Sequence, residues 1–166
     1  MQIIVVSDNH GRSQPIKDIK NMYPDADLFI HCGDSEMYPE ALEGFVAVAG
    51  NNDGYNFFPD EKIIDIQGLK ILVCHGDNYF SAHRVDLLKQ RAKEEKFNLV
   101  CFGHTHAFFC KIEEGVCILN PGSITFNRDY SAPSYAIVSY TNGKLEVERK
   151  EYIAPPKEKK GFFNRK

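Results

Sequence analysis

Five short polar segments carry most of the residues in this sequence that could bind a metal ion or catalyse hydrolysis. In chain order they read SDNHG, HCGD, GNND, HGD and GHTH, and each follows an apolar run almost immediately. The candidate ligands within them are Asp8, His10, Asp34, Asn51, His75, His104 and His106. A set of imidazoles and carboxylates suits Mn, Fe, Zn or Ni better than Mg or Ca. Seven ligands exceed the needs of one ion, so the pattern favours two ions that share a bridging carboxylate.

Apolar runs rich in β-branched residues must position these segments, and their composition predicts strands. The predicted strands are Ile3–Val6, Leu28–His31, Phe45–Ala49, Ile63–Ile66, Ile71–Cys74, Leu99–Phe102, Phe108–Ile112, Val116–Leu119, Tyr135–Tyr140 and Leu145–Arg149. In the first half of the chain strands alternate with helical stretches, which favours parallel pairing. Parallel strands end at one edge of a sheet, where open α/β folds place their ligand sites. We therefore expect the five polar segments to converge although they lie far apart in the sequence.

Two helical stretches and several turns complete the predicted architecture. Ser13 is expected to cap a helix with Pro15 in its first turn, and Ser81 to cap a longer one. A short helix is expected between Tyr38 and Gly44. The segments EEG and TNG are typical of hairpin turns in the strand-rich second half. Together these features predict a mixed α/β domain with two packed sheets and helices outside.

The overall composition is that of an ordinary globular protein, with 26% charged and 43% hydrophobic residues. A formal net charge of −3 argues against a dedicated nucleic-acid-binding protein, which would show a basic face. No apolar run approaches the roughly 20 residues that span a bilayer, and the N-terminus lacks the basic segment of a signal peptide. We therefore expect a cytoplasmic protein whose five cysteines are reduced. One domain is expected over residues 1–154, and the basic tail 155–166 is either a solvated end or a docking segment anchored by Phe162 and Phe163.

Taken in order, and followed by Asn120-Pro121-Gly122-Ser123, the five segments resemble the motifs of the calcineurin-like metallophosphoesterases. The last segment resembles the NPGS sequence of the family's small bacterial and archaeal phosphodiesterase branch, and the likeness covers roughly residues 1–150. It implies a metallophosphoesterase-type β-sandwich of two mixed sheets flanked by helices. It also implies a metal-dependent phosphoric ester hydrolase, in which a metal-bridging hydroxide attacks a small phosphodiester. Two divalent transition-metal ions per chain are implied, with Mn as the first choice and Fe, Ni or Zn as alternatives.

Each metal ligand of the family matches a single residue in the motifs of this sequence. For the first ion the resemblance implies Asp8, His10, Asp34 and His106; for the second it implies Asp34 as the bridge, with Asn51, His75 and His104. Asp53 would then hold the motif loop or a ligand in place.

Asn52 is a departure from the family pattern. Many members have a histidine there that protonates the leaving group or holds a substrate oxygen, whereas an amide cannot transfer a proton at neutral pH. Asn52 either donates a hydrogen bond to a phosphoryl oxygen or shapes the turn. The sequence therefore predicts a catalytic site completed by Asn52 and Asp53, in which activated aryl diesters are cut best.

The sequence leaves open the roles of two further residues and two alternative functions. Ser123 is expected either to line the phosphate pocket or to form a plain turn, and Arg128 either to contact substrate or to be a surface charge. A binding or scaffold protein on the same fold is an alternative, because the family contains a trafficking subunit that works mainly through its surfaces. A phosphomonoesterase is the other alternative, which Asn52 and the short chain disfavour. A small phosphodiester is the expected partner, a membrane or an extended nucleic acid is not, and a homo-oligomer stays open.

Overall fold

The computed structural model describes residues 1–156, and this part of the chain contains ten strands and two α-helices. The strands are β1 Gln2–Val6, β2 Leu28–His31, β3 Phe45–Ala47, β4 Glu61–Ile66, β5 Leu69–Cys74, β6 Leu99–Cys101, β7 Phe108–Glu113, β8 Val116–Pro121, β9 Ser134–Thr141 and β10 Lys144–Glu151. The helices are α1 Ser13–Met22 and α2 Arg84–Glu95, with short 3-10 turns at Pro39–Leu42 and Ser81–His83. Every predicted strand is present, and seven extend one or two residues beyond the predicted run at one or both ends. The strand predicted to reach Ala49 ends at Ala47, and the one predicted to reach Phe102 ends at Cys101.

The strands form two five-stranded sheets, in the orders β10-β9-β1-β2-β3 and β4-β5-β6-β8-β7. In the first sheet β1, β2 and β3 run parallel, and in the second β5, β6 and β8 do. Antiparallel strands complete each sheet: β9 and β10 in the first, β4 and β7 in the second. The predicted mixed α/β sandwich is therefore confirmed.

The central strands are buried on both faces, because the other sheet covers one face and a helix covers the other. On β1, Ile3 and Val5 point into the apolar layer between the sheets. Their neighbours Ile4 and Val6 face the opposite way and pack with Ile16 of α1. The second sheet is covered by α2 in the same manner. Each aliphatic side chain buried in this way stabilises the fold by roughly 1.5–3 kcal/mol, and the double burial explains why the strands are continuous apolar runs.

Both helices begin differently from the prediction. Ser13 is the first residue of α1 rather than its cap, and no side chain caps that helix. The second helix begins at Arg84 rather than directly after Ser81, because the backbone of His83 leaves the helical region with φ −124° and ψ 11°. Residues 81–83 form a separate 3-10 turn instead. The short helix expected between Tyr38 and Gly44 is present as the other 3-10 turn.

The carboxyl ends of β1, β2, β3, β5 and β6 meet at one edge of the sandwich, which we call the motif edge. A polar segment follows each of these strands, and backbone hydrogen bonds join the segments to one another, from Asp8 to Gly33 and from Gly103 to His75. The hairpins β4–β5, β7–β8 and β9–β10 turn at the opposite edge. The expected convergence is therefore present in the fold.

Two expectations from the sequence concern regions away from this edge. Neither described helix is long and apolar enough to cross a membrane. The structure follows the chain through β10 to Pro156, so Phe162, Phe163 and most of the predicted tail lie outside the described residues. The domain boundary at residue 154 and the role of the tail therefore stay predictions.

Candidate metal centre

The backbone at the motif edge adopts left-handed conformations at residues other than glycine. Positive φ angles of 44° to 66° occur at five of the seven expected ligands, namely Asp8, His10, Asp34, His104 and His106. Such residues cost about 1–2 kcal/mol each relative to ordinary backbone. Strain of this kind persists only where the surrounding structure holds it, and it concentrates at functional sites. Here it turns side chains off the strand ends towards a common centre.

The first group of facing side chains consists of Asp8, His10 and His106. The Oδ1 atom of Asp8 lies 3.1 Å from His106 Nε2 and 4.0 Å from His10 Nε2. The two Nε2 atoms are themselves 3.1 Å apart. One ligand atom from each residue therefore faces the same point, and all three lie within 4.8 Å of one another. Asp8 is fully buried, whereas His10 is partly exposed.

The second group consists of Asp8, Asp34 and His75, and all three side chains are buried. His75 Nε2 lies 3.4 Å from Asp34 Oδ2. Asp8 is the member common to the two groups, whereas the resemblance gives that place to Asp34. A bridging role for Asp34 therefore stays a prediction, because the geometry places this carboxylate in the second group alone.

The remaining two expected ligands extend the second group. His104 Nδ1 lies 3.0 Å from Asn51 Oδ1, so the two side chains face each other. The rings of His75 and His104 meet edge to face with centroids 5.2 Å apart. The backbone N–H of His104 donates to Asp8 Oδ2 at 3.2 Å. The structure thus brings all seven expected ligands together at the motif edge.

Two buried polar atoms in the described residues have no hydrogen-bond partner, and both lie in these groups: Asp8 Oδ1 and His75 Nε2. Leaving such an atom unsatisfied costs about 1–3 kcal/mol. A divalent cation would satisfy both atoms, and imidazole, carboxylate and amide oxygen together suit a first-row transition metal. The residues present therefore fit the metal ions that the resemblance implies.

The far nitrogens of three of these imidazoles are held by hydrogen bonds that leave Nε2 free. His75 Nδ1 donates to the carbonyl oxygen of Cys32 at 2.7 Å, and His106 Nδ1 to that of Phe126 at 3.0 Å. His10 Nδ1 lies 2.5 Å from Glu36 Oε1. Contacts of this kind fix the tautomer and the orientation of a metal-binding histidine. Glu36 is absent from the sequence analysis, where its only signal is its place two residues after Asp34.

Asp53 ties two of the ligand-bearing loops together. Its Oδ1 accepts hydrogen bonds from the hydroxyl of Ser35 at 2.8 Å and the backbone N–H of Glu36 at 2.7 Å. Its Oδ2 accepts one from the backbone N–H of Gly50 at 2.8 Å. The side chain thus lies between the loop after β2 and the loop after β3, the position that a residue holding the motif loop would need.

Asn52 is directed at a carboxylate. Its backbone N–H donates to Asp34 Oδ1 at 2.8 Å, and its side-chain amide donates to Asp34 Oδ2 at 2.7 Å. The close approach of the same loop requires glycine at position 50, since a methyl group there would come within 2.8 Å of Asp34 Cγ. The loop after β3 therefore fixes the orientation of the Asp34 carboxylate.

The electrostatic surroundings keep Asp34 ionised. Burial raises the pKa of Asp34, but contact with His75 and the hydrogen bonds from Asn52 outweigh it and hold this pKa well below its usual range. Burial lowers the pKa of His75, but Asp34 and Asp8 outweigh that effect and raise it. Burial, followed by the charge of His75, lowers the pKa of His104. The Asp34 carboxylate thus supplies fixed negative charge in the second group.

Ser123 has a different place from the one expected for a substrate contact. It is completely buried, its hydroxyl donates to the backbone oxygen of Asp8 at 2.8 Å, and it accepts hydrogen bonds from the N–H groups of Thr125 and Phe126. The NPGS segment therefore supports the Asp8 loop from behind instead of presenting a hydroxyl to the phosphate pocket, because burial leaves this hydroxyl no exposed surface.

Arg128 lies at the exposed rim of the site. Its backbone N–H donates to the carbonyl oxygen of His106 at 2.8 Å, and its guanidinium donates to that of His104 at 3.3 Å. The side chain is exposed and retains further N–H groups for an anion. Its position is consistent with the expected contact to substrate, which stays a prediction.

The sequence is similar to a known family and to several known proteins. The family model described as a calcineurin-like phosphoesterase superfamily domain matches residues 1–143. A probable metallophosphoesterase of Bacillus subtilis is 36% identical over 150 residues, which cover 89% of each chain. A phosphodiesterase of Methanocaldococcus jannaschii is 26% identical, and the match covers 92% of this chain and 96% of that one.

A solved structure supports the same grouping. The crystal structure of a conserved Streptococcus pneumoniae protein, described as a predicted phosphoesterase, matches with a TM-score of 0.80 at 32% identity. The match covers 89% of this chain and 87% of that one. From the match over residues 1–143, these relatives and the shared fold, we conclude that the chain belongs to the calcineurin-like phosphoesterase superfamily.

Proposed function

We propose that this protein hydrolyses a small phosphodiester with the help of two divalent transition-metal ions held at the motif edge. The observation that carries the proposal is the pair of buried atoms without partners, Asp8 Oδ1 and His75 Nε2. Asp8 belongs to both ligand groups and His75 to the second, so cations bound in both groups would satisfy these atoms. Manganese is the proposed ion, with iron, nickel and zinc as alternatives, because this ligand set suits them all.

When bound, two such ions supply Lewis acids for the phosphoryl oxygens and water of lowered pKa as the nucleophile. The residues of the chain hold the ions and set the charge around them. Asp8 and Asp34 together contribute −2 against +4 from two divalent ions, so the loaded ligand set attracts an anionic phosphoryl group. Arg128 at the rim would add a further positive charge on the path of the substrate.

The preference for a diester with a good leaving group follows from Asn52. Its amide cannot donate a proton in catalysis, and in the structure it holds Asp34. No other side chain among the described residues is proposed to protonate the leaving group, so leaving groups of low pKa should be released best. The similarity to a phosphodiesterase of Methanocaldococcus jannaschii supports the same preference.

The scaffold alternative does not require the metal-binding groups. The complete set of expected ligands, the strained backbone that carries them and the unsatisfied buried atoms argue against it. A cytoplasmic location completes the proposal, and the five free cysteines support a reducing compartment.

The test compares two substrates on metal-loaded protein. Purified protein loaded with manganese should cleave bis(para-nitrophenyl) phosphate much faster than para-nitrophenyl phosphate. His75→Ala should abolish this cleavage, while His83→Ala, which changes an exposed histidine outside both ligand groups, should leave it unchanged. Faster cleavage of the monoester would replace the diester assignment with the phosphomonoesterase alternative. Absence of bound metal after every loading condition, together with no turnover, would favour the scaffold alternative.

A further inference from the structure

His10 differs from the other metal-facing histidines in what holds its far nitrogen. The acceptors for His75 and His106 are backbone carbonyl oxygens, whereas the partner of His10 Nδ1 is the carboxylate of Glu36 at 2.5 Å. His10 is also the least buried of the three, with 30% of its side chain exposed, against 1% for His75 and 8% for His106. Packing alone therefore fixes this ring less well than the other two.

The backbone of Glu36 is itself held in a fixed position. Its N–H donates to Asp53 Oδ1 at 2.7 Å, and the neighbouring Ser35 hydroxyl donates to the same oxygen. Glu36 also has a φ angle of 52°, a left-handed conformation that costs about 1–2 kcal/mol for a residue with a side chain. Asp53, which joins the two ligand-bearing loops, thus also anchors the residue that contacts His10.

Glu36 does not face the ion position itself. Its carboxylate contacts Nδ1 of His10, while the opposite nitrogen, Nε2, faces His106 Nε2 at 3.1 Å and Asp8 Oδ1 at 4.0 Å. The two ring nitrogens point in different directions, so Glu36 reaches the first ligand group only through the imidazole. The described clusters of metal-binding side chains accordingly do not include it.

We propose that Glu36 is a positioning residue that keeps the Nδ1 proton on His10 and presents its Nε2 to the ion in the first ligand group. The inference rests on the proposed function, because it assumes that Asp8, His10 and His106 bind a metal. A carboxylate in this position fixes both the tautomer and the ring angle of a metal-binding histidine, and removing such a partner typically weakens metal binding about 10–100-fold.

Zinc binding tests the proposal without using catalysis. Zinc affinity is measured by chelator competition for the wild type, Glu36→Ala and Glu36→Gln, with Glu40→Ala as the control for an exposed glutamate nearby. Glu36→Ala should weaken one of the zinc sites by about 10–100-fold, Glu36→Gln should restore part of the affinity because its amide oxygen still accepts, and Glu40→Ala should change nothing. Wild-type affinity at both sites in Glu36→Ala would overturn the proposal.

A spectroscopic signature separates positioning from a general structural role. In zinc-loaded protein, nuclear magnetic resonance should show protected Nδ1 protons for His10, His75 and His106. Glu36→Ala should lose the His10 signal alone, while the other two serve as internal controls because their acceptors are backbone carbonyls. Loss of all three signals would show a structural collapse and overturn the assignment, as would retention of all three.

The outcomes also separate this inference from the proposed function. Zinc binding that depends on Glu36 without any cleavage of diesters would support the inference and contradict only the function. A wild-type protein that binds neither zinc nor manganese would contradict both.

Discussion

The two edges of the sandwich use left-handed backbone for different purposes. At the edge opposite the candidate metal centre, the three hairpins pair a residue with φ of 51° to 53° with a following glycine: Gln67-Gly68, Glu114-Gly115 and Asn142-Gly143. Two successive positive φ angles are the pattern of the tight turns that match the twist of antiparallel strands. At the motif edge, comparable φ angles fall on aspartate and histidine instead. There the strained backbone turns the expected ligands towards one another, whereas at the opposite edge it only reverses the chain.

Packing around the glycines shows the same difference. A methyl group at Gly50 would come within 2.8 Å of the Asp34 carboxylate carbon, whereas one at Gly115 would meet nothing within 4 Å. The loops of the motif edge are therefore packed around the ligands, while the hairpins at the other edge project into open space. Equivalent substitutions at the two edges should separate effects on metal binding from effects on folding.

The largest difference between the edges should come from removing the carboxylate common to both ligand groups. Asp8→Asn should lower diester cleavage by about 10²–10³-fold, because Asp8 is the buried residue that both groups share. The matched change Asp65→Asn, at an exposed position on β4, should leave activity unchanged. Steady-state rates on the aryl diester measure both. Comparable activity in the two variants would show that Asp8 is not a ligand.

The next largest difference between the edges should come from substituting one glycine at each edge. Gly50→Ala should weaken metal binding by about 10–100-fold, because the added methyl group displaces Asp34. Gly115→Ala should cost only about 1–2 kcal/mol of unfolding free energy, from its φ of 80°, and should bind metal as the wild type does. Metal titration and urea unfolding of each variant separate the effects. Equal metal affinity in the two variants would remove the proposed link between loop packing and the ligand.

A smaller effect is expected where a residue holds the loops without facing the ions. Asp53→Asn should lower metal affinity by about tenfold, because it weakens the hydrogen bonds from Ser35, Glu36 and Gly50. Asp60→Asn, at an exposed position in the same connection, is the control. Isothermal titration with manganese compares the two. An unchanged metal affinity in Asp53→Asn would show that the Asp53 side chain supports folding but not metal binding.

The smallest effect is expected at the tip of the β9–β10 hairpin. Asn142→Gly should change the free energy of unfolding by less than about 0.5 kcal/mol, because the position is exposed and glycine adopts its φ of 52° without strain. Metal binding should stay at the wild-type value. Urea unfolding and metal titration check both statements, and a loss of metal would show coupling between the edges that the structure does not predict.

The same contrast explains what the sequence can and cannot predict. Strands such as Leu28–His31 are predictable because a short apolar run of this length favours a buried strand. The gathering of the ligands is also predictable, since parallel strands end at one edge. The start of α2 is not, because local backbone geometry at His83 ends the preceding turn.

The remaining differences concern individual side chains. The direction of the Ser123 hydroxyl depends on burial behind Asp8, which the NPGS motif does not encode. The place of Glu36 two residues after Asp34 does not predict its contact with His10, because that contact depends on how two loops cross. The common position of Asp8 in both groups likewise depends on side-chain geometry and not on motif order.

Metal content tests the central claim most directly. After loading with manganese and removal of excess ion, elemental analysis should find about two ions per chain in the wild type and no more than about one in Asp34→Asn. The Asp65→Asn variant should match the wild type. Two ions in Asp34→Asn, or none in the wild type, would contradict a two-ion centre that depends on this carboxylate.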